Sequence, residues 1–168
     1  MRPKRSDRPR GAGAEVERHA ALEPYPWLPV LRRELFELAP VFARIARRSS
    51  VHVTIETLYG ESCRKWHTDR VGLRMLATFL GPGTWLADPV GVDRGWLGSV
   101  ELDLDETNRR IVFDPDCVVE AGTGDVILCK RDLFGSEKGN GLVHRSPPSG
   151  GAGFRRLLLR IDERGCGA

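Results

Sequence analysis

The stretch that decides the fold is residues 51–57, VHVTIET, in which apolar and polar side chains alternate. A period of two places Val51, Val53 and Ile55 on one face of an extended chain and their polar neighbours on the other. This alternation predicts a half-buried strand. The segments on either side of it predict what the strand pairs with and what covers it.

Downstream of this stretch, the sequence predicts a series of short strands. Residues 71–80 are apolar and end at the turn signal Gly81-Pro82-Gly83, and their β-branched, aromatic and glycine content favours a strand over a helix. Short strands at close spacing are typical of a β-sandwich or barrel. The other predicted strands are Trp85–Ala87, Leu97–Leu102, Arg110–Phe113, Val118–Glu120, Asp125–Lys130, Gly141–His144 and Arg156–Asp162.

Upstream of it, the sequence from Pro26 to Arg48 has a helical period, with leucines at steps of three or four residues. Pro40 is expected to divide this region into two short helices, because proline lacks the amide donor and clashes with the preceding turn. The predicted fold class is therefore mainly β with N-terminal helices. The specific expectation is a double-stranded β-helix of the cupin or jelly-roll type, with the helices packed on one outer face.

The length and charge of the chain fit one domain behind a basic tail. A chain of 168 residues can bury a real core. Residues 1–13 predict a disordered basic tail, and residues 14–168 predict a single double-stranded β-helix domain, helical over 26–48 and β-rich over 51–162. Residues 1–10 hold five basic side chains and one acidic side chain, so the net charge of +3 belongs to the tail and the remainder is close to −1. No nucleic-acid partner is expected, because the body lacks a basic field and the tail lacks aromatic side chains for base stacking.

Other features argue against a membrane, secreted or zinc-ribbon protein. No apolar stretch approaches the roughly 20 residues of a membrane span, and no apolar segment follows the charged N-terminus as in a secretory signal. A cytoplasmic location is therefore expected. The cysteines have large and irregular separations, which argues against a zinc ribbon and a disulfide framework. They are Cys63, Cys117, Cys129 and Cys166.

The strongest chemical signal is His67-Thr68-Asp69, followed about 77 residues later by His144. In an extended segment, residues i and i+2 point to the same face, so His67 and Asp69 can aim together into a barrel interior. Two histidines and one carboxylate form the facial triad that suits non-haem Fe(II) and leaves positions open for a co-substrate and dioxygen. The alternative is a surface His–Asp pair and an unrelated polar strand end.

An arginine about 11 residues beyond His144 is a candidate for binding the co-substrate. Arg155 begins an otherwise apolar strand, where a charge is costly without a partner. A planar guanidinium in a barrel mouth can bind a carboxylate through two hydrogen bonds, and Arg155 is predicted to do so. A register shifted by one residue would flip every side chain, and Arg156 or Arg160 would then serve instead. An exposed cation is the alternative for each.

Cys63 lies four residues before His67 and would share its face in a regular strand. It is a candidate fourth metal ligand, and the alternative is a small buried hydrophobic side chain. With Cys63, the triad could form a closed four-coordinate Zn(II) site.

Two blocks of the sequence resemble a bacterial family, domain-of-unknown-function family 1826. They are residues 61–84, ESCRKWHTDRVGLRMLATFLGPGT, and residues 141–148, GLVHRSPP, with RRLLL following at 155–159. The resemblance covers roughly residues 25–163, and the cysteine four places before the HxD histidine belongs to the pattern. An acidic residue that the family usually has before the tryptophan is missing here, since Trp85 follows Thr84 directly. The resemblance implies a bacterial cytosolic protein and a link to zinc handling through metallochaperone-type GTPases.

The order HxD, then His, then Arg is more distantly similar to the Fe(II)/2-oxoglutarate-dependent oxygenase superfamily. The first hypothesis is therefore a dioxygenase-like oxidoreductase with Fe(II) on His67, Asp69 and His144, with 2-oxoglutarate on Arg155, and with a small molecule or a protein side chain as substrate. The second is a non-catalytic Zn(II)-binding protein of bacterial zinc homeostasis, with Cys63 as an added ligand. The third is a cupin-like interaction domain with a degenerate site.

Overall fold

The larger of two β-sheets is built around the strand that the alternating stretch predicts. The computed structural model describes residues 15–16, 28–60, 62–70, 72–100, 103–130, 139–149 and 154–163. Within them, the larger sheet has the order β1-β2-β8-β3-β6, and the smaller sheet has the order β5-β4-β7. The strands are β1 (Glu15–Val16), β2 (Val51–Leu58), β3 (Leu73–Leu80), β4 (Trp85–Ala87), β5 (Val118–Glu120), β6 (Val126–Lys130), β7 (Val143–Arg145) and β8 (Arg156–Glu163).

The strand pairing is antiparallel except at one edge. β1 pairs with β2 in parallel. β8 lies between β2 and β3 and pairs antiparallel with both. β4 pairs antiparallel with β5 on one side and with β7 on the other. A single antiparallel bridge between His67 and His144 extends the smaller sheet beyond β7. The prediction of a mainly β domain with a helical N-terminal part is confirmed.

Each face of the larger sheet is covered by a different layer. Helix α1 (Leu28–Ile45) packs on one face through Phe42, which contacts a cluster that includes Val53 and Leu159. On the opposite face, Leu76 and Leu158 pack with Leu86 of the smaller sheet. This second face, called the inner face below, carries the alternate β8 residues Arg156, Leu158, Arg160 and Asp162 and the β3 residues Arg74, Leu76 and Thr78.

The prediction that Pro40 divides the N-terminal helical region was wrong, because α1 is one continuous helix. Pro40 is exposed, and so is Phe36 one turn earlier. The carbonyl that loses its amide donor to the proline ring therefore lies on the solvent side. Ala39 and Phe42 flank Pro40 and are buried against the sheet, so packing holds both halves of the helix in line.

A second helix, α2 (Leu104–Ile111), begins after one predicted strand and overlaps the start of the next. Its N-cap is Asp103, whose carboxylate accepts hydrogen bonds from the amides of Asp105 and Glu106. The predicted strand Arg110–Phe113 was therefore wrong, and its first two residues belong to the last turn of α2. The predicted strand Leu97–Leu102 was also wrong over 97–100, which contain no strand. Single turns of 3-10 helix span Pro89–Gly91, Arg94–Trp96 and Pro115–Cys117.

The other predicted strands agree with the structure to within two residues at each end. The predicted tail at 1–13 and Cys166 lie outside the described residues. Among the helices of the described residues, none has the length and apolar character needed to cross a membrane.

Candidate metal centre

The two histidines of the predicted triad are held opposite each other by their own backbones. The amide of His67 donates to the carbonyl of His144 at 3.0 Å, and the amide of His144 donates to the carbonyl of His67 at 3.0 Å. Residues that face each other in this way in an antiparallel pair place their side chains on the same face. The ring centroids are accordingly 4.5 Å apart.

The hydrogen bonds of the two rings set the same tautomer for each. Nδ1 of His67 lies 2.9 Å from the carbonyl oxygen of Lys65, and Nδ1 of His144 lies 3.1 Å from that of Leu142. A carbonyl oxygen only accepts, so Nδ1 donates in both rings and each Nε2 keeps a free lone pair. Burial lowers the pKa of His144, and the neighbouring His67 lowers it further. The neutral ring, which is the form that binds metals, is therefore favoured.

Asp69 supplies a buried carboxylate beside the two rings. Its Oδ1 accepts a hydrogen bond from Nη1 of Arg74. Its Oδ2 is buried without a hydrogen-bond partner and lies 3.7 Å from Nε2 of His144. The ligand atoms of His67, Asp69 and His144 all lie within 4.8 Å of one another. Because a buried carboxylate oxygen without a partner is costly, this donor set fits a divalent cation.

Arg74 and Asp162 complete the surroundings of Asp69, and the sequence analysis missed both. They face each other across β3 and β8. Nε of Arg74 donates to Oδ1 of Asp162 at 2.6 Å, and Nη2 donates to Oδ2 at 3.1 Å. One guanidinium therefore binds two carboxylates. The available signal was that Arg74 is the one charged residue in the otherwise apolar stretch Leu73–Leu80.

A stack of aromatic and cationic side chains lies behind the two histidines. Arg145 lies between two indoles, with its guanidinium carbon 4.9 Å from the ring of Trp66 and 4.8 Å from that of Trp85. Trp66 precedes His67 and Arg145 follows His144, and neighbours along a strand point to opposite faces. The stack therefore joins the backbone segments that carry both histidines, and cation–π contacts of this kind are stabilising.

The arginine that lies buried near the start of β8 is Arg156, whereas Arg155 is exposed. Nη2 of Arg156 donates to Oγ1 of Thr78 at 3.0 Å and also to Oγ1 of Thr84. Burial lowers the pKa of Arg156. Its hydrogen-bond partners within the described part of the chain are these hydroxyls, and none is a carboxylate. The strand register thus places Arg156, rather than Arg155, in the interior. Arg156 is one of the two alternatives to Arg155 that the sequence left open.

The third candidate arginine, Arg160, already has partners. Its Nη2 lies 3.1 Å from Oε1 of Glu56, and its Nε lies 3.3 Å from Oδ2 of Asp162. The co-substrate role predicted for Arg155 stays a prediction. The described geometry favours Arg156 for it, because Arg156 is buried and its hydrogen bonds within the described residues go to hydroxyls rather than to a carboxylate.

A sequence profile of the family described as protein of unknown function, DUF1826, matches residues 8–162. The chain belongs to this family. No curated protein matches the chain significantly. Among solved structures, the chain is similar to the crystal structure of AviO1 from Streptomyces viridochromogenes Tue57, with 20% identity, coverage of 92% of this chain and 73% of that chain, and a TM-score of 0.38.

The two sequence blocks that carry the DUF1826 resemblance meet at this site. Residues 61–84 contribute His67, Asp69 and Arg74, and residues 141–148 contribute His144. Thr84 and Trp85, which follow the Gly-Pro-Gly turn, contact two arginines near the site, since Thr84 accepts from Arg156 and Trp85 stacks on Arg145, the residue after His144.

Cys63 is the predicted ligand that the structure does not bring into the cluster. Its side chain is exposed, and in the described residues the group that could hold a metal consists of His67, Asp69 and His144. The segment before His67 is irregular, so the strand alternation that would place Cys63 on the same face does not apply. Its backbone is instead tied to Ser146, whose amide donates to the carbonyl of Cys63 at 2.9 Å.

Proposed function

We propose that this DUF1826 chain is an Fe(II)- and 2-oxoglutarate-dependent dioxygenase-like oxidoreductase. The observation that carries the proposal is the cluster of His67, Asp69 and His144, with one buried carboxylate oxygen that has no hydrogen-bond partner. Two imidazole nitrogens and one carboxylate oxygen are the donor set of non-haem Fe(II) oxygenases. Fe(II) bound there would supply the activation of dioxygen, with electrons drawn from the 2-oxo acid.

The protein contributes a prearranged set of donors. The carbonyls of Lys65 and Leu142 orient the two imidazoles, so that each presents Nε2. Arg74 orients the carboxylate of Asp69 in the same way. A site whose donors are held before the metal arrives needs little rearrangement on binding.

Arg156 would bind the far carboxylate of 2-oxoglutarate. Among the described residues, its buried guanidinium is hydrogen-bonded to hydroxyls, and a ligand carboxylate would supply a counter-charge through a bidentate pair. Thr78 and Thr84 would hold the guanidinium in orientation. Arg74, which marks the metal side of the inner face, is four residues from Thr78 on β3, about 13 Å along an extended strand.

The apolar contacts between the sheets would exclude water from the pocket. Leu76 and Leu158 lie on the inner face between the metal side and Arg156, and they pack with Leu86 of the smaller sheet. Low water content strengthens electrostatic contacts to the co-substrate. We further propose that the two sheets form a double-stranded β-helix of the cupin or jelly-roll type, with the metal held near one end, and that the chain is cytoplasmic.

Anaerobic spectroscopy tests this function. Metal-free protein given Fe(II) and 2-oxoglutarate without oxygen is expected to show a weak visible charge-transfer band. The band should be lost in His67→Ala and retained in the matched variant His52→Ala, because His52 lies on β2 outside the metal group. Wild-type protein that is folded but shows no band would contradict the proposal.

The alternative function is a non-catalytic Zn(II)-binding protein of bacterial zinc homeostasis, with a metallochaperone-type GTPase as partner. The same three donors also suit Zn(II), and Cys63 is hydrogen-bonded through its backbone to Ser146, two residues from His144. Metal analysis of Cys63→Ala separates the two functions. Tight Zn(II) that is lost in this variant supports storage or transfer, whereas unchanged metal content with 2-oxoglutarate binding lost in Arg156→Gln supports the oxygenase.

A further inference from the structure

Arg74 holds one oxygen of the metal-site carboxylate and leaves the other free. We infer that Arg74 is a positioning residue that makes Asp69 a one-oxygen ligand and thereby keeps a third coordination position open for exogenous ligands. This inference rests on the proposed metal centre. Beyond that proposal, it assigns to Arg74 the control of how many coordination positions stay open to exogenous ligands.

The guanidinium of Arg74 is fixed independently of Asp69. Two of its nitrogens bind both oxygens of Asp162, directly opposite on β8, at 2.6 and 3.1 Å. β3 lies between β8 and β6 in the larger sheet, so the strand that carries Arg74 is paired on both sides. Asp69, by contrast, lies in an irregular segment between the bridge residue His67 and β3. The rigid partner is therefore the arginine, and the carboxylate takes its orientation from it.

The contact with Arg74 uses one carboxylate oxygen of Asp69. Oδ1 accepts from Nη1 of Arg74, while Oδ2 is buried without a hydrogen-bond partner and faces Nε2 of His144 at 3.7 Å. Charge-assisted hydrogen bonds are about twice as strong as neutral ones. Chelation of a metal by both oxygens would place the cation on the same oxygen as the guanidinium, and repulsion between the two positive charges disfavours this. Asp69 is thus prepared to give Oδ2 alone.

The number of open positions decides what chemistry the centre can support. Two imidazoles and one carboxylate oxygen occupy three places of a six-coordinate metal, and three remain. A chelating 2-oxo acid takes two of these, and the third stays available for dioxygen. If Asp69 gave both oxygens, the 2-oxo acid would fill the last two places. By holding Asp69 to one oxygen, Arg74 would control the access of dioxygen to the metal without touching it.

The test is a count of metal-bound water molecules. Mn(II) is added to the folded full-length protein, and the broadening of its electron paramagnetic resonance lines in ¹⁷O-enriched water reports the number of water ligands. Three are expected in the wild type and two in Arg74→Gln, because Asp69 is then free to chelate. The control is Arg48→Gln, which removes an arginine that binds Glu163 on the same strand as Asp162 through Nε and Nη2. This control should keep three.

A second variant covers the case in which Arg74→Gln does not fold. Arg74→Gln combined with Asp162→Asn replaces both partners of the Arg74–Asp162 pair by neutral groups of similar shape, and such a replacement is tolerated far better than the removal of one partner. Two water ligands in this double variant support the inference. Three in the folded double variant, or two in the wild type, overturn it while leaving the metal centre intact. A wild-type protein that binds no Mn(II) refutes the metal centre itself.

Discussion

Two arginines on the inner face of the larger sheet occupy similar positions and have opposite surroundings. Arg74 on β3 and Arg156 on the neighbouring strand β8 both extend toward the smaller sheet and are largely shielded from solvent, with Arg74 at 20% side-chain exposure and Arg156 at 2% residue exposure. Arg74 binds the carboxylates of Asp69 and Asp162. Arg156 binds two threonine hydroxyls.

The difference in their hydrogen-bond partners indicates a structural role for Arg74 and a ligand-binding role for Arg156. The charge of Arg74 is balanced inside the protein, so its guanidinium serves to hold carboxylates in place. Among the described residues, the hydrogen bonds of Arg156 go to neutral hydroxyls, and burial lowers its pKa. A buried cation that is hydrogen-bonded to no carboxylate is costly and is retained where it serves a function. The comparison therefore predicts that substitutions at the two sites have opposite consequences for stability and for ligand binding.

The largest expected effect is the loss of stability in Arg74→Met. This change leaves the buried Asp69 without its cation and removes the two-nitrogen contact to Asp162, which keeps only Arg160 beside it. Breaking a buried pair from one side destabilises by about 3 kcal/mol or more. Urea unfolding followed by circular dichroism measures the free energy of unfolding. Arg48→Met is the control, because Arg48 is 40% exposed and its pair with Glu163 should contribute less than about 1 kcal/mol. Equal losses of unfolding free energy in the two variants would mean that the ion pairs of Arg74 contribute no more to stability than the exposed pair of Arg48.

The next effect is on co-substrate binding in Arg156→Gln. Removing the cation that pairs with a ligand carboxylate is expected to weaken 2-oxoglutarate binding by about 2 kcal/mol, which is roughly 30-fold. Isothermal titration with 2-oxoglutarate under anaerobic conditions in the presence of Fe(II) measures this affinity. Arg155→Gln is the matched control, one residue earlier and exposed, and its affinity should equal that of the wild type. A loss of 2-oxoglutarate affinity confined to Arg155→Gln would support the co-substrate role predicted for Arg155 and contradict that of Arg156.

A smaller effect is expected on the stability of the ligand-free protein in Arg156→Met. Methionine removes a desolvated charge without leaving a carboxylate unpaired, and the two threonines can find other donors or water. Replacing buried charges by apolar side chains of similar volume is often neutral, so the free energy of unfolding should change by no more than about 1 kcal/mol. Urea unfolding without metal or 2-oxoglutarate checks this. A loss as large as that of Arg74→Met would indicate that Arg156 is structural.

The sequence could predict candidates for the site because its signals are local. His67 and Asp69 are two residues apart, and His144 follows an apolar segment that forms a strand. The structure places the three together, while their binding of a metal stays a prediction. The role of Arg74 could not be found in this way. It depends on β3 lying beside β8, and Arg74 and Asp162 are 88 residues apart in the chain.

The errors and the open choices in the sequence analysis have equally specific causes. The sequence left open whether Arg155 or Arg156 points inward, because the proline- and glycine-rich loop before β8 does not define the strand register. Pro40 was expected to end a helix, but packing of its neighbours on the sheet overrode the local preference. The helix α2 was missed although Asp103 is a good N-cap, because Leu104 and Ile111 are its only apolar side chains and are too few to show a helical period.

The smallest predicted effect concerns Cys129, which faces Arg74 across β3 and β6. If the charge of Arg74 were not balanced by carboxylates, it would favour the thiolate form of Cys129. Instead, burial together with the charge of Asp69 raises the pKa of Cys129 to about 12, against the opposing influence of Arg74. The folded protein therefore keeps the proton that the unfolded chain releases near pH 9, so this contribution to stability is complete below pH 9 and is lost as the pH rises toward 12.

Measuring the free energy of unfolding of the wild type and Cys129→Ala between pH 7 and 9.5 tests this consequence of the balanced charge on Arg74. The difference between the two proteins should be constant below pH 8. It should then narrow by about 0.8 kcal/mol at pH 9.5, because only the wild type has a thiol whose proton is held more tightly in the folded state. A difference that stays constant to pH 9.5 would mean that the thiol ionises in the folded protein as readily as in the unfolded chain. The influence of Arg74 on the thiol would then offset those of burial and Asp69, contrary to a guanidinium whose charge is balanced by its two carboxylates.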